Sequence, residues 1–242
     1  MDSQEQLRAL VEQDKGMMRI IDFDNFCSAP QLDAQAQSAL LRPNARLAAA
    51  LCESSAQGLA PISVLPLAGQ YLSVLTRVMG AKEVLEVGTL GGYSSICFAQ
   101  AGARVTSIEI DAKHRDVALQ NVAGLDVEVL LGSSTEILPR LVEEGRRFDI
   151  VFVDADMVGL GEQFDWAVKL TRPNGCIFLD DVVASMFKDG QVGEGGGENI
   201  LTRVGKDKRV QATLVPIVAC HAMVPRPVFN GFIFGTVLAD DA

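Results

Sequence analysis

Val84-Leu-Glu-Val-Gly-Thr-Leu-Gly-Gly-Tyr-Ser-Ser95 is the stretch on which the fold turns. A short apolar run passes through Glu86 into glycines at 88, 91 and 92, and a helix is expected from Tyr93. The glycines permit a tight turn and leave no Cβ between the backbone and a ligand. The helix that follows offers free N–H groups, which suit an anionic group such as a carboxylate. The spacing is GxxGG, not the GxGxxG of dinucleotide-binding turns. The acid ahead of the first glycine would repel a pyrophosphate, but it can hold an ammonium, directly or through water.

Outward from this turn, apolar runs over 83–87, 105–110, 127–131, 149–153 and 176–179 alternate with helical stretches near 93–101, 112–123, 135–143 and 161–171. Strands that are apolar throughout and separated by helices imply a parallel sheet covered on both faces. Two more strands, 209–215 and 230–237, have no clear helix between them and predict an antiparallel hairpin at the sheet edge. Upstream, helices are expected over 4–15, over 31–52 and from Pro66 to 79. Residues 188–199, rich in glycine and charge, read as a loop at the carboxyl edge of the sheet, where ligands of open α/β folds bind. The expected organisation is one domain over 1–242, with a helical N-terminal cap over 1–65 and an α/β core over 66–242.

The 242 residues are ample for such a core, and 48% hydrophobic with 21% charged residues is ordinary for a soluble chain. A net charge of −10 argues against a nucleic-acid partner, because a phosphate backbone would be repelled. No apolar run approaches the roughly 20 residues that span a bilayer. The first residues carry neither the basic nor the apolar region of a signal peptide, so a cytoplasmic protein is expected. Cys27, Cys52, Cys97, Cys176 and Cys220 are odd in number and scattered, which points to reduced thiols, with Cys97 and Cys176 as core residues.

Glu109 ends the second strand, where an acid can accept both hydroxyls of a ribose. An amino-acid end at Glu86 and a ribose end at Glu109, in one crevice, describe S-adenosylmethionine. Further along, Phe148-Asp-Ile-Val-Phe-Val-Asp-Ala-Asp156 and Ile177-Phe-Leu-Asp-Asp-Val182 end neighbouring strands in acids. Asp154, Asp180 and Asp181 are expected to converge there, and carboxylates at close quarters repel unless protons or a cation neutralise them. All-oxygen ligation favours a hard ion, Mg²⁺ first, with Mn²⁺ or Ca²⁺ also compatible.

With these residues in view, the chain resembles the cation-dependent O-methyltransferases, the caffeoyl-CoA and catechol O-methyltransferase family. The resemblance runs from about Gly69 to the C-terminus. It is carried by Gly69-Gln-Tyr-Leu, Glu86-Val-Gly with Gly92-Tyr-Ser, Phe148-Asp with Phe152-Val-Asp-Ala-Asp156, Asp180-Asp181, and Asp207-Lys-Arg-Val-Gln-Ala-Thr213. Asp154 and Asp180 stand 26 residues apart, the family's separation between its first two metal ligands. The resemblance implies a Rossmann-like methyltransferase fold with a mostly parallel seven-stranded sheet, and usually a homodimer. It implies metal ligation by Asp154, Asp180 and Asp181, the last in place of the family's asparagine. It implies cofactor contacts from Val64, Glu86, Gly88, Ser94, Glu109, Ser134 and Asp156, although Ile62-Ser-Val-Leu-Pro66 departs from the family's polar stretch.

The family's general base, a lysine three residues after the first metal ligand, is replaced by Met157. Two routes remain for deprotonation. His221 in the loop before the last strand could take the proton, or the metal could acidify a bound phenol from its usual pKa of about 10. His114 reads as an exposed helix residue and Lys169 as solvated. The expected reaction is methyl transfer to a small aromatic diol or phenol. The rival is a protein that keeps the fold and the cofactor but no longer transfers methyl groups.

Overall fold

The computed structural model describes residues 28–155, 159–188, 191–192, 199–220 and 227–239. Their elements are helices α1 (Ala29–Leu40), α2 (Ala45–Ala56) and α3 (Pro66–Met79), then β1 (Glu83–Val87), α4 (Tyr93–Gln100), β2 (Arg104–Glu109), α5 (Ala112–Asn121) and β3 (Val127–Leu131). There follow α6 (Ser134–Glu143), β4 (Phe148–Val153), α7 (Leu160–Leu170), β5 (Thr171–Leu179), α8 (Val182–Ser185), and the two-residue strands β6 (Phe187–Lys188) and β7 (Gln191–Val192). Helix α9 (Ile200–Lys206) and strands β8 (Val210–Ala219) and β9 (Val228–Val237) complete them. The chain divides into two compact units. Met1–Leu40 with Val218–Val228 forms one, whose described helix, α1, has no buried residue. Leu41–Ile217 with Phe229–Ala242 forms the other and carries the candidate site.

Period-two alternation sorts the central strands into two apolar layers. Leu85, Val87, Val151, Val153, Ile177 and Leu179 pack with Ile137, Leu138 and Leu141 of α6 and Phe164, Ala167 and Val168 of α7. Their neighbours Val84, Ile150, Phe152, Cys176 and Phe178 pack on the opposite side with Leu72 of α3 and Phe98 of α4. A sheet apolar on both faces must be sandwiched between helices, and this one is. Its order is β3-β2-β1-β4-β5-β9-β8. The first five strands run parallel, and β9 returns antiparallel to β5. This is the parallel sheet with a terminal hairpin that the pattern predicted, and the Rossmann-like fold that the resemblance implied.

Some expected boundaries are corrected. The helix expected over 31–52 is two helices, α1 and α2. Pro43 cannot donate to a preceding carbonyl, and Asn44 caps the second helix by accepting from the Leu47 amide. Strand β5 begins at Thr171, earlier than expected, with a register irregularity against β4. Part of the 188–199 loop is the β6–β7 ribbon. Helix α9 was missed behind the glycine-rich run; its sign is Asn199, which forms a reciprocal capping box with Thr202. The helix expected over 4–15 lies outside the described residues. Among the described residues no helix is long and apolar enough to cross a membrane.

Candidate active site

The carboxyl ends of the central strands are joined by main-chain hydrogen bonds that continue the sheet past its strands. Gly88 N donates to Ile108 O at 3.0 Å, Asp154 N to Val87 O at 2.9 Å, and Asp180 N to Val153 O at 2.9 Å. Gly88 sits at φ +98°, and a Cβ there would lie 2.1 Å from the Asp154 carbonyl oxygen, so only glycine fits. Above this floor opens a cavity of about 520 Å³. Val64, Gly88, Ser94, Glu109, Ser134, Asp154 and Asp181 all line it.

Glu109 is buried and held by three backbone amides. Its Oε2 accepts from Thr89 N at 3.2 Å and Leu90 N at 2.8 Å, and its Oε1 accepts from Asp111 N at 2.9 Å. The glycine turn and the start of α5 thus close around the carboxylate. His114 stands beside it, with Nδ1 3.6 Å from Oε1. The expectation of a plainly exposed His114 is corrected: the first turn of α5 folds this side chain over the end of β2 and into the cavity lining.

Glu86 has no accessible surface and does not line the cavity. It shares a face of β1 with Val84, towards α4. Its Oε2 accepts from Ser107 Oγ at 2.5 Å and from Ser95 Oγ, while Oε1 has no partner among the described residues. Burial pushes its proton affinity above the ordinary carboxylate range, against the hydroxyls of Ser107, Ser94 and Ser95, which favour the ionised form. Ser94 belongs both to this group and to the cavity wall.

Asp154, Asp180 and Asp181 follow the carboxyl ends of β4 and β5. Burial, then the charges of Asp180, Asp181 and Glu86, push the Asp154 carboxyl well above its ordinary range. Burial pushes Asp180 up to about 6; the Asp181 charge adds to the rise and the Asp181 N–H opposes it. Yet among the described residues no three His, Cys, Asp or Glu side chains gather into a metal-holding group. The charges of Asp180 and Asp181 nonetheless bear on Asp154, so the three acids stand at one edge. Asp181 takes a left-handed backbone, φ 57°, and its Oδ1 is held by Asn230 Nδ2 at 2.6 Å, while Asp180 Oδ1 accepts the Asp181 N–H at 2.8 Å. The donors themselves, all carboxylates, are of the type that a hard divalent ion neutralises.

Asp156, Met157 and His221 lie outside the described residues. Lys169 is exposed and lies over the Trp166 ring at 4.0 Å. Among the lining residues that the sequence reading missed are His114, Ser133, Thr135, Gln163 and Trp166. Gln163 is buried, donates to Ser134 Oγ at 3.5 Å, and has no partner for Oε1 among the described residues. The one signal available for Trp166 was its being the sole tryptophan.

The O-methyltransferase family model matches residues 40–224. The chain is 38% identical over 177 residues to the catechol O-methyltransferase of Niastella koreensis, covering 66% of this chain and 78% of that protein. It is 34% identical over 214 residues to the O-methyltransferase imqG of Aspergillus flavus, covering 81% and 84% respectively. Among solved structures, the O-methyltransferase from Bacillus cereus in complex with SAH superposes with a TM-score of 0.76 at 30% identity, covering 86% of this chain and 97% of that one. A cavity built on the ends of parallel strands, the matched family and these relatives agree: the chain belongs to the O-methyltransferase family and is an enzyme of that class.

Proposed function

We propose that this enzyme takes its methyl group from S-adenosylmethionine and transfers it to a hydroxyl of a small aromatic diol or phenol, with a divalent cation at the acidic edge. The observation that carries the reading is Glu109, a buried carboxylate fixed by the amides of Thr89, Leu90 and Asp111 at the wall of the cavity. Such a fixed acceptor suits a ribose. Ser94 and the buried Glu86 behind it suit the amino-acid end, Gly88 admits the ligand close to the backbone, and Val64, Ser134, Gln163 and Trp166 offer walls for the base. The relatives support this: the Bacillus cereus enzyme was solved with SAH, and a Streptomyces achromogenes O-methyltransferase, 28% identical with a TM-score of 0.76, with SAM. The catechol O-methyltransferases of Niastella koreensis and Mycobacterium tuberculosis, each 38% identical, support an aromatic acceptor.

In this reading the chain contributes orientation and charge, the two effects that lower the barrier most once reactants are held together. Glu109 fixes the ribose end and Ser94, backed by the buried Glu86, the amino-acid end, above the strand-end floor. Asp154, Asp180 and Asp181 would hold the cation, which supplies charge neutralisation and makes a chelated hydroxyl more acidic.

Transfer of labelled methyl to a panel of catechols and phenols tests the reading. Transfer is expected with catechols, suppressed by EDTA and restored by Mg²⁺ or Mn²⁺; Asp154→Ala should lose the metal rescue while still binding S-adenosylhomocysteine. Full activity in EDTA removes the cation from the reading, and cofactor binding without transfer to any acceptor removes the aromatic substrate.

A further inference from the structure

The lone pairs of Glu109 decide how a ribose can be held. A carboxylate offers about four acceptor sites. Thr89 N and Leu90 N occupy two on Oε2, and Asp111 N occupies one on Oε1. One site remains, on Oε1. A ribose brings two neighbouring hydroxyls, and each loses hydration on entering the cavity, so the second needs an acceptor of its own. His114 Nδ1 lies 3.6 Å from Oε1, too far for a hydrogen bond between the two but close enough for neighbouring hydroxyls to engage one each. The position is built in: Asp111 Oδ1 accepts from Lys113 N at 2.7 Å and His114 N at 3.1 Å, which fixes the first turn of α5 and brings His114 over the end of β2.

On the reading that the cavity holds S-adenosylmethionine, we propose that His114 and Glu109 form a two-acceptor clamp for the ribose diol, His114 taking one hydroxyl at Nδ1. The imidazole then carries its proton on Nε2. His114 is a binding residue in this arrangement and takes no part in methyl transfer.

Calorimetry with S-adenosylhomocysteine and its 2′-deoxy and 3′-deoxy analogues tests the clamp on wild type, His114→Ala, His114→Asn and Glu109→Ala. Wild type should lose about tenfold in affinity, the scale of one unpaired polar group, for the analogue lacking the hydroxyl that His114 accepts. His114→Ala should bind the parent ligand about tenfold more weakly and no longer distinguish it from that analogue. His114→Asn, whose side-chain oxygen can accept, should recover most of both affinity and discrimination. Undiminished affinity in His114→Ala overturns the clamp, as does weakened affinity with discrimination against both deoxy analogues intact. Failure of wild type to bind S-adenosylhomocysteine at all, in protein that melts cooperatively, overturns the cofactor reading as well.

Discussion

A carboxylate without accessible surface is costly, and Glu86 keeps its charge only through hydroxyls. Oε2 is served by Ser95 and Ser107, but Oε1 has no partner among the described residues, so Glu86 is poorly arranged for stability alone. Its proton affinity is raised in the fold, so stability from this group is full below the ordinary value of 4.5 and falls as pH rises through the raised value. Glu86→Gln removes the buried charge and keeps the shape. The variant should therefore melt at or above the wild-type temperature, with an advantage that grows as pH rises from about 4.5. It should also weaken S-adenosylhomocysteine binding through Ser94, the cavity-lining hydroxyl that bonds to Glu86. A melting temperature far below wild type at every pH would make Glu86 a structural residue. Glu86 and Glu109 were legible from sequence because both stand at strand ends beside the glycine turn. His114, Gln163 and Trp166 were not, because each belongs to a helix whose polar residues look like ordinary surface until the helix is docked. At Asp181 the donor type was legible, but not the left-handed backbone or the bond from Asn230 on a distant strand.

Among the elements, β1, β3 and α3 have the expected bounds, for different reasons. The two strands are apolar runs with polar or glycine ends, and α3 is punctuated by Pro66 in its first turn and by Gly80 at φ +62° after its last residue. The split between α1 and α2 was hidden by leucines and alanines that keep helical spacing across Pro43. Asn44 marks the new start: its side chain accepts from Leu47 N at 3.2 Å and donates to Gln100 Oε1 at 2.7 Å. Asn44→Ala should lower unfolding stability by about 1 kcal/mol, read as a lower denaturant midpoint at unchanged slope. No change in midpoint would mean that Arg46, which donates to the carbonyls of Asn121 and Ala123, holds α2 without the cap.

For the whole molecule, ligand binding and folding share one set of strands. The cavity walls come from residues as far apart as Ile62 and Asp181, and a cofactor seated there is bound only by the folded sheet. S-adenosylhomocysteine at a hundred times its dissociation constant should add about 2.7 kcal/mol of stability, a rise in melting temperature of roughly 6–10 °C for a chain of this size. Scanning fluorimetry should show that rise in wild type and little of it in Glu109→Ala. An equal rise in both would move the ligand away from Glu109.

The hydrogen bonds that carry the sheet past its strand ends are donated by the main chain of Gly88, Asp154 and Asp180. At Asp154 and Asp180, therefore, the backbone is held whatever the side chain is. Substitutions at these two positions change the chemistry of the acidic edge and leave the main-chain hydrogen bonds in place. Gly88 has no such freedom, since any larger residue meets the Asp154 carbonyl. The backbone thus separates two positions whose side chains can be varied without loss of the strand-end bonds from one, Gly88, that admits no side chain.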